Sequence, residues 1–278
     1  MHRFHSSIQR RTALNRFSRA ISCLSLCGLL VPTSAAQTPA VFHPGEQFQT
    51  GFGPKATAVG DLDMNGSPDI VVADRGANHV SVLLSTVPAS FPQTTVYVTG
   101  MNPESIAIGN LNGDSVKDIV TANGDGTVTV LLGMPGAPVS YGAPTTVTTG
   151  ITPQALGLED LNGDSISDLV TLDGLTDGVW VQLGTGTGGF GAKAFYAAGP
   201  SLPPGLFPTS FQIGDMNGDS KPDIVTANTH WNSVSVLIGT GTGSFAGLAY
   251  PVGNPPTQWA TPGLAIGDLN EDGLQDVV

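Results

Sequence analysis

The chain has 278 residues with 37 Gly, 21 Pro and two Cys, and its ten basic residues face 22 acids. Five of those bases and both cysteines precede residue 37, so residues 37–278 carry 22 acids against five bases, a formal charge of −17. That excess excludes the basic surface a nucleic-acid partner needs, and the lack of cysteine excludes a disulfide framework.

In chain order the first element is MHRFHSSIQRRTALNRFSRA, with five Arg and no acid, followed by the apolar run AISCLSLCGLLV and then PTSAA. Basic start, short apolar core and small-residue end are the order of a cleavable secretory leader. Cleavage is expected after Ala36, giving a secreted, cell-surface or periplasmic protein. The apolar run of 12 residues falls short of the ~20 a membrane-spanning helix requires.

Beyond the leader one unit recurs five times: GDLDMNGSPDIVVAD from residue 60, GNLNGDSVKDIVTAN from 109, EDLNGDSISDLVTLD from 159, GDMNGDSKPDIVTAN from 214 and GDLNEDGLQDVV from 267. Repetition at 49–55 residues is an architectural signal. Within each loop, positions 1, 3, 5 and 9 are Asp or Asn. They are Asp61, Asp63, Asn65 and Asp69; Asn110, Asn112, Asp114 and Asp118; Asp160, Asn162, Asp164 and Asp168; Asp215, Asn217, Asp219 and Asp223; and Asp268, Asn270, Asp272 and Asp276. Fourteen of the 22 acids stand at these positions, so the charge is concentrated where a cation would neutralise it.

Short oxygen-bearing side chains at alternate positions of a tight turn converge on one point, which suits a hard cation with six to eight oxygen ligands, Ca²⁺ before Mg²⁺. The absence of His and Cys from the loops disfavours zinc. Up to five calcium ions are expected, with the second site weakest because Asn110 leaves it two carboxylates. The alternative is that Asp, Asn and Gly only favour turns. An EF-hand would have Glu at position 12 and flanking helices, whereas here Val or Thr stands in that place and β-branched runs such as DIVTAN follow, so each loop joins strands.

Around every loop the wider unit also repeats. A Pro precedes position 1 by seven residues at Pro54, Pro103, Pro153 and Pro208, and by six at Pro262. Then come an apolar strand, the loop, a second strand, a third (HVSVLLS, TVTVLLG, GVWVQLG, SVSVLIG), a turn ending at Phe91, Tyr141, Phe190 or Phe245, and a variable fourth strand. Four short strands per repeat predict an all-β propeller. Four blades are complete in the sequence, with partial ones at either end, so the ring is expected to be incomplete in this chain and truncated at the C-terminus. Residues 42–53 are expected to form the fourth strand of a further blade.

The unit P-x-x-x-A-x-G-D-x-N-G-D-x-x-x-D-I-V-x-A-N followed by V-S-V-L-x-G-T-G-T-G-S-F resembles the FG-GAP or VCBS-type repeat of integrin α-chain propellers and secreted bacterial proteins. The resemblance spans residues 42–278, nearly all of the domain expected over 37–278. It implies a propeller with calcium between the first and second strands of each blade and ligands received on the opposite face. Arg75, His79, His230, Trp231 and Trp259 fall on connections expected at that face. Exposed Trp suits stacking on sugars or anchoring a protein, the alternative being that each packs beneath its own loop. Trp180, in a third strand, is expected to pack between blades.

Two classes of function stay open: an extracellular binding or adhesion module for a glycan or protein, and a calcium-dependent extracellular enzyme such as a polysaccharide lyase. His43, His79 and His230 form no recognisable spacing with Ser and Asp, and nearly all paired carboxylates sit in the loops. Binding is therefore the favoured reading.

Overall fold

The alternation of β-branched and small residues in each repeat folds into antiparallel sheets, with the Asx-rich loops supplying the reversals between first and second strands. The computed structural model of the chain describes residues 47–86, 90–92, 94–136, 139–149, 152–173, 176–198, 208–228, 233–251 and 263–278. The expected leader over 1–36 lies outside the described residues.

The first blade consists of β1 (Pro54–Gly60), β2 (Asp69–Asp74), β3 (His79–Leu83) and β4 (Thr94–Val98), hydrogen-bonded in that order. The second has β5 (Pro103–Gly109), β6 (Asp118–Asn123) and β7 (Thr127–Leu131), then a two-stranded insertion, β8 (Gly133–Met134) with β9 (Ser140–Tyr141), before its outer strand β10 (Thr145–Thr148). The third is β11 (Pro153–Glu159), β12 (Asp168–Asp173), β13 (Gly178–Gly184) and β14 (Phe190–Ala197), and the fourth β15 (Pro208–Gly214), β16 (Asp223–Asn228), β17 (Ser233–Gly239) and β18 (Phe245–Pro251). Strands β19 (Ile266–Gly267) and β20 (Asp276–Val277) pair around the fifth loop. Among the described residues there is no helix, and so none long and apolar enough to cross a membrane.

The hydrophobic core lies between blades. Val71, Val80 and Val82 of the first sheet pack with Ile106, Ile119 and Leu131 of the second. Val120, Val128 and Val130 meet Leu156 and Leu169 of the third, and Val170, Val179 and Val181 meet Ile224 and Leu237 of the fourth. Position 2 of the first three loops is a Leu (Leu62, Leu111, Leu161) buried in these same layers, so these three loops are each anchored by their own apolar residue. Backbone bonds add to this: the turn before β14 donates from Gly188 N to Leu111 O at 3.0 Å, and that before β18 from Gly243 N to Leu161 O at 3.1 Å. Each glycine-rich turn therefore docks on the Asx loop of the preceding blade.

At the other end of the strands the last residue of each second strand is polar and buried: Asp74, Asn123, Asp173 and Asn228. Asn123 Nδ2 donates to Thr129 Oγ1 (2.9 Å) and Thr127 Oγ1 (3.1 Å), and Asn228 Nδ2 to Ser235 Oγ (2.8 Å) and Ser233 Oγ (3.2 Å). The chain entering a blade crosses this network, with Gly100 N bonded to Thr129 Oγ1 at 2.9 Å and Gly51 N to Ser81 Oγ at 3.2 Å. A Cβ on Gly100 would lie 2.6 Å from Asn123 Nδ2 and 2.8 Å from Thr127 Oγ1. Gly100→Ala is accordingly expected to cost about 1–3 kcal/mol, read as a lower midpoint in urea unfolding at unchanged m-value; an unchanged midpoint would refute the tight crossing.

One expectation meets a different outcome. The strand expected over 42–53 is not formed where the chain is described: residues 47–53 are irregular, Phe48 packing edge-on to Phe91 with centroids 4.9 Å apart and Gln49 O accepting from Thr94 Oγ1 at 3.1 Å. The rest of that stretch lies outside the described residues. The fourth strand also varies, starting directly at Phe190 and Phe245 in the third and fourth blades but only after Phe91 and Tyr141 in the first two. Trp180 sits opposite Phe195 in the β13–β14 ladder with Lys193 Nζ 4.6 Å from its ring centroid, and Lys193 reaches Thr149 O of the second blade at 3.3 Å.

Candidate functional site

Every Asx loop joins a first strand to a second, and its backbone is organised by its own side chains. In the fourth loop Asp215 Oδ1 accepts from the N–H groups of Gly218 (2.7 Å) and Asp219 (3.2 Å), and Oδ2 from Ser220 (2.7 Å). Asn217 Oδ1 accepts from Asp219 N at 2.9 Å and Asp219 Oδ1 from Lys221 N at 3.0 Å. Desolvation pushes the Asp215 carboxyl up, but the backbone donors of Ser220, Gly218, Asn217 and Asp219 together outweigh it and hold the group below the usual carboxylate range. The same pattern holds the third loop around Asp160 and the fifth around Asp268.

This turn places positions 4 and 6 at positive φ: Met64 and Gly66, Gly163 and Ser165, Gly218 and Ser220, Glu271 and Gly273. The first loop has its Gly at position 6 and the third and fourth at position 4; either satisfies part of the same requirement. The second loop differs for a chemical reason. Asn110 offers one acceptor oxygen, taken by Gly113 N at 2.9 Å, while its amide donates to Asp114 O at 2.7 Å. The N–H of position 6 thus has no acceptor at position 1, and Ser115 does not adopt the left-handed conformation seen in the other loops.

Position 9 plays a role that residue spacing did not reveal. Asp69, Asp118, Asp168 and Asp223 are buried, and each uses both oxygens as a clasp. Asp118 Oδ2 accepts from Leu111 N at 2.7 Å and Oδ1 from Gly133 N, just beyond the third strand, at 2.8 Å. Asp69 does the same with Leu62 N and Ser85 N, Asp168 with Leu161 N and Gly184 N, and Asp223 with Met216 N and Gly239 N. Burial raises the Asp118 and Asp168 carboxyls above the usual range, the backbone donors opposing it in part. A carboxylate has about four lone-pair sites, so a clasped oxygen can still face a cation.

In the first loop Asp61, Asp63 and Asp69 each bring an oxygen within 4.8 Å of the others. Two ligands at 2.3–2.6 Å from one calcium ion lie at most roughly 5 Å apart, so this gathering fits a single Ca²⁺, which Asp61, Asp63 and the buried Asp69 would hold.

At the opposite end of the first strands lies a polar groove of about 570 Å³ shared by all four blades. Lys55, Glu104, Gln154 and Thr209 contribute to it from the same register position, the residue after the blade-opening Pro. Arg75 and Asn102 complete one wall. Arg75 Nε donates to Glu104 Oε1 at 2.5 Å, and Lys55 Nζ lies 3.8 Å from Glu104 Oε2. His79 is placed elsewhere: its Nδ1 is 3.1 Å from Asp74 Oδ2 outside hydrogen-bond geometry, and its side chain is mostly covered. His230, Trp231 and Trp259 lie outside the described residues. Spacing alone pointed to Arg75 but not to Lys55, Glu104 or Gln154; their shared register after each Pro was the available signal.

The chain matches the FG-GAP-like repeat over residues 61–121, 160–226 and 215–278, more than half of its length. It belongs to the FG-GAP-like repeat family, and its fold is a β-propeller. Among solved structures it is similar to a lectin of Agrocybe aegerita described as recognising non-reducing terminal N-acetylglucosamine, at TM-score 0.55 and 20% identity over 80% of this chain and 59% of the lectin. It is also similar to a Bacteroides uniformis protein provisionally assigned as a 6-phosphogluconolactonase, at 0.51 and 15% over 72% of this chain and 55% of that one. A Lactobacillus plantarum protein matches at 0.50 and 18%, over 77% and 59%. The chain thus spans less than two thirds of each of these structures. No curated protein matches it.

Proposed function

We propose that this chain is a secreted, calcium-stabilised propeller that binds a glycan or protein ligand through the groove opposite its Asx loops. One contrast within the repeat carries the reading. All twenty loop positions keep Asp or Asn, whereas the position after the blade-opening Pro is Lys, Glu, Gln and Thr in successive blades. A scaffold element keeps its chemistry from blade to blade; a site fitted to one ligand needs different groups converging from each, and these four converge. The lectin among similar folds supports the glycan branch, and the loops supply rigidity once their charge is neutralised.

A glycan array and a panel of extracellular proteins probed with the calcium-loaded chain test this. Binding that falls by roughly tenfold or more in Arg75→Ala and Lys55→Ala variants is expected, the loss typical of charge-assisted contacts; binding indifferent to both substitutions would remove the groove from the proposal. Secretion rests on the basic, apolar and small-residue order of residues 1–36. N-terminal sequencing of protein recovered outside the cytoplasm should begin at Gln37, and an intact Met1 in that fraction would contradict it.

A further inference from the structure

The geometry points to an anionic glycan, one bearing uronate carboxylates, as the ligand of the four-blade groove; the inference rests on the groove being the binding site. Residues 37–278 contain five basic residues, Lys55, Arg75, Lys117, Lys193 and Lys221, and two of the five line this groove. Among the described lining residues they face one carboxylate, Glu104, so these side chains together carry a net positive charge within a strongly acidic chain.

Glu104 positions the cations and leaves them available. It engages Arg75 through Nε only, and among the described residues the two Nη groups of Arg75 make no hydrogen bond. Arg75 and Lys55 side chains remain 54% and 53% exposed, whereas Glu104 is 19% exposed beneath them. A guanidinium held by Nε presents its Nη edge in the planar fork that receives a carboxylate in a bidentate manner.

The remaining lining distinguishes a sugar acid from an acidic peptide. Asn102 and Gln154 offer amide groups with no side-chain hydrogen bond among the described residues, beside Thr152 and the opening of β11. Amides and hydroxyls match sugar hydroxyls. Among the described residues the lining contains no aromatic and no large aliphatic side chain, so these residues offer a peptide none of the apolar anchors that concentrate affinity at protein interfaces.

The test uses the full chain in saturating calcium, titrated calorimetrically with tetramers of galacturonate, glucuronate and mannuronate, their methyl esters, the neutral galactose tetramer and an Asp tetrapeptide. At least one uronate tetramer should bind, its ester roughly tenfold or more weaker, and Arg75→Gln and Lys55→Gln should each reproduce that loss, about the loss expected for a charge-assisted pair. Both side chains are over half exposed, and an unchanged melting temperature confirms that the variants fold. Equal binding of acid and ester, or indifference to Arg75→Gln, overturns the anionic assignment. Binding of the Asp tetrapeptide without any uronate overturns the glycan assignment. If a neutral glycan binds and is lost in the groove variants, the uronate inference fails while the binding-groove reading stands; if neither these probes nor any glycan or protein of the wider panels engages the groove, both fail.

Discussion

Addition of calcium to the metal-free chain should raise its melting temperature by about 10–50 °C, and chelation should reverse the change. Sites of extracellular modules commonly bind calcium at ~10⁻⁴–10⁻³ M, so about 10 mM calcium exceeds Kd by ten- to a hundredfold and adds roughly 1.4–2.7 kcal/mol for each site filled. Four or five such increments, at about 2–4 °C per kcal/mol for a domain of this size, give the stated range. The physical origin is the loop geometry. Asp61, Asp63 and Asp69 crowd their oxygens within 4.8 Å with no cation side chain among them, a repulsion that a bound divalent ion converts into attraction. Magnesium at equal ionic strength should do less, because it resists the irregular shell these loops offer. A count of four or five bound ions with the thermal shift would support the structural-calcium reading; no shift and no bound ion would end it. Asn110→Asp sharpens the test. Restoring an acceptor for the position-6 N–H and adding a third carboxylate should raise stability in calcium and lower it in chelator, opposite signs that a mere turn effect would not produce.

The sequence and the structure agree most where one short-range rule decides the outcome. Asp and Asn at alternate positions, a Pro seven residues upstream and β-branched runs downstream placed the loops between first and second strands, and β1–β2, β5–β6, β11–β12 and β15–β16 are paired accordingly. What stayed hidden depends on partners distant along the chain. The second half of the Asp118 clasp is Gly133 N, 15 residues on, a backbone group that no side-chain pattern advertises. The ion pair of Arg75 with Glu104 crosses 29 residues and two blades. Asn123 reads locally as a turn residue ending a strand, yet it is buried and bonded to Thr121, Thr127 and Thr129. The irregular entry at residues 47–53 departs from the expected strand because Gly51 packs against His79 and Asp74, where a Cβ would meet His79 Cε1 at 2.1 Å, and a regular ladder has no place at that crossing.

Substitution of the buried position-9 acid should cost far more than loss of an outer ligand, and most of that cost should persist without metal. Asp118→Ala removes the acceptor of Leu111 N and Gly133 N at once. Two buried N–H groups left unpaired cost about 1–3 kcal/mol each, so a loss of about 2–6 kcal/mol is expected in chelator and in calcium alike, seen as a lower urea midpoint under both conditions. Asp118→Asn keeps one carbonyl oxygen but turns an NH₂ toward a second N–H, and should fall between Ala and the natural residue. Asp164→Ala is the contrasting case. Asp164 is exposed, and its oxygens accept only from Ile166 N and Asn162 Nδ2 within the loop, so its removal should change stability by less than about 1 kcal/mol in chelator and express its full cost only when calcium is present. The difference of the two differences separates two roles within one motif: the proposed gathering of oxygen for a cation by positions 1, 3 and 5, and the tie that position 9 makes between the loop and the exit of the third strand. Equal, wholly calcium-dependent losses for Asp118→Ala and Asp164→Ala would show that the clasp contributes no stability of its own and that position 9 acts as a metal ligand alone.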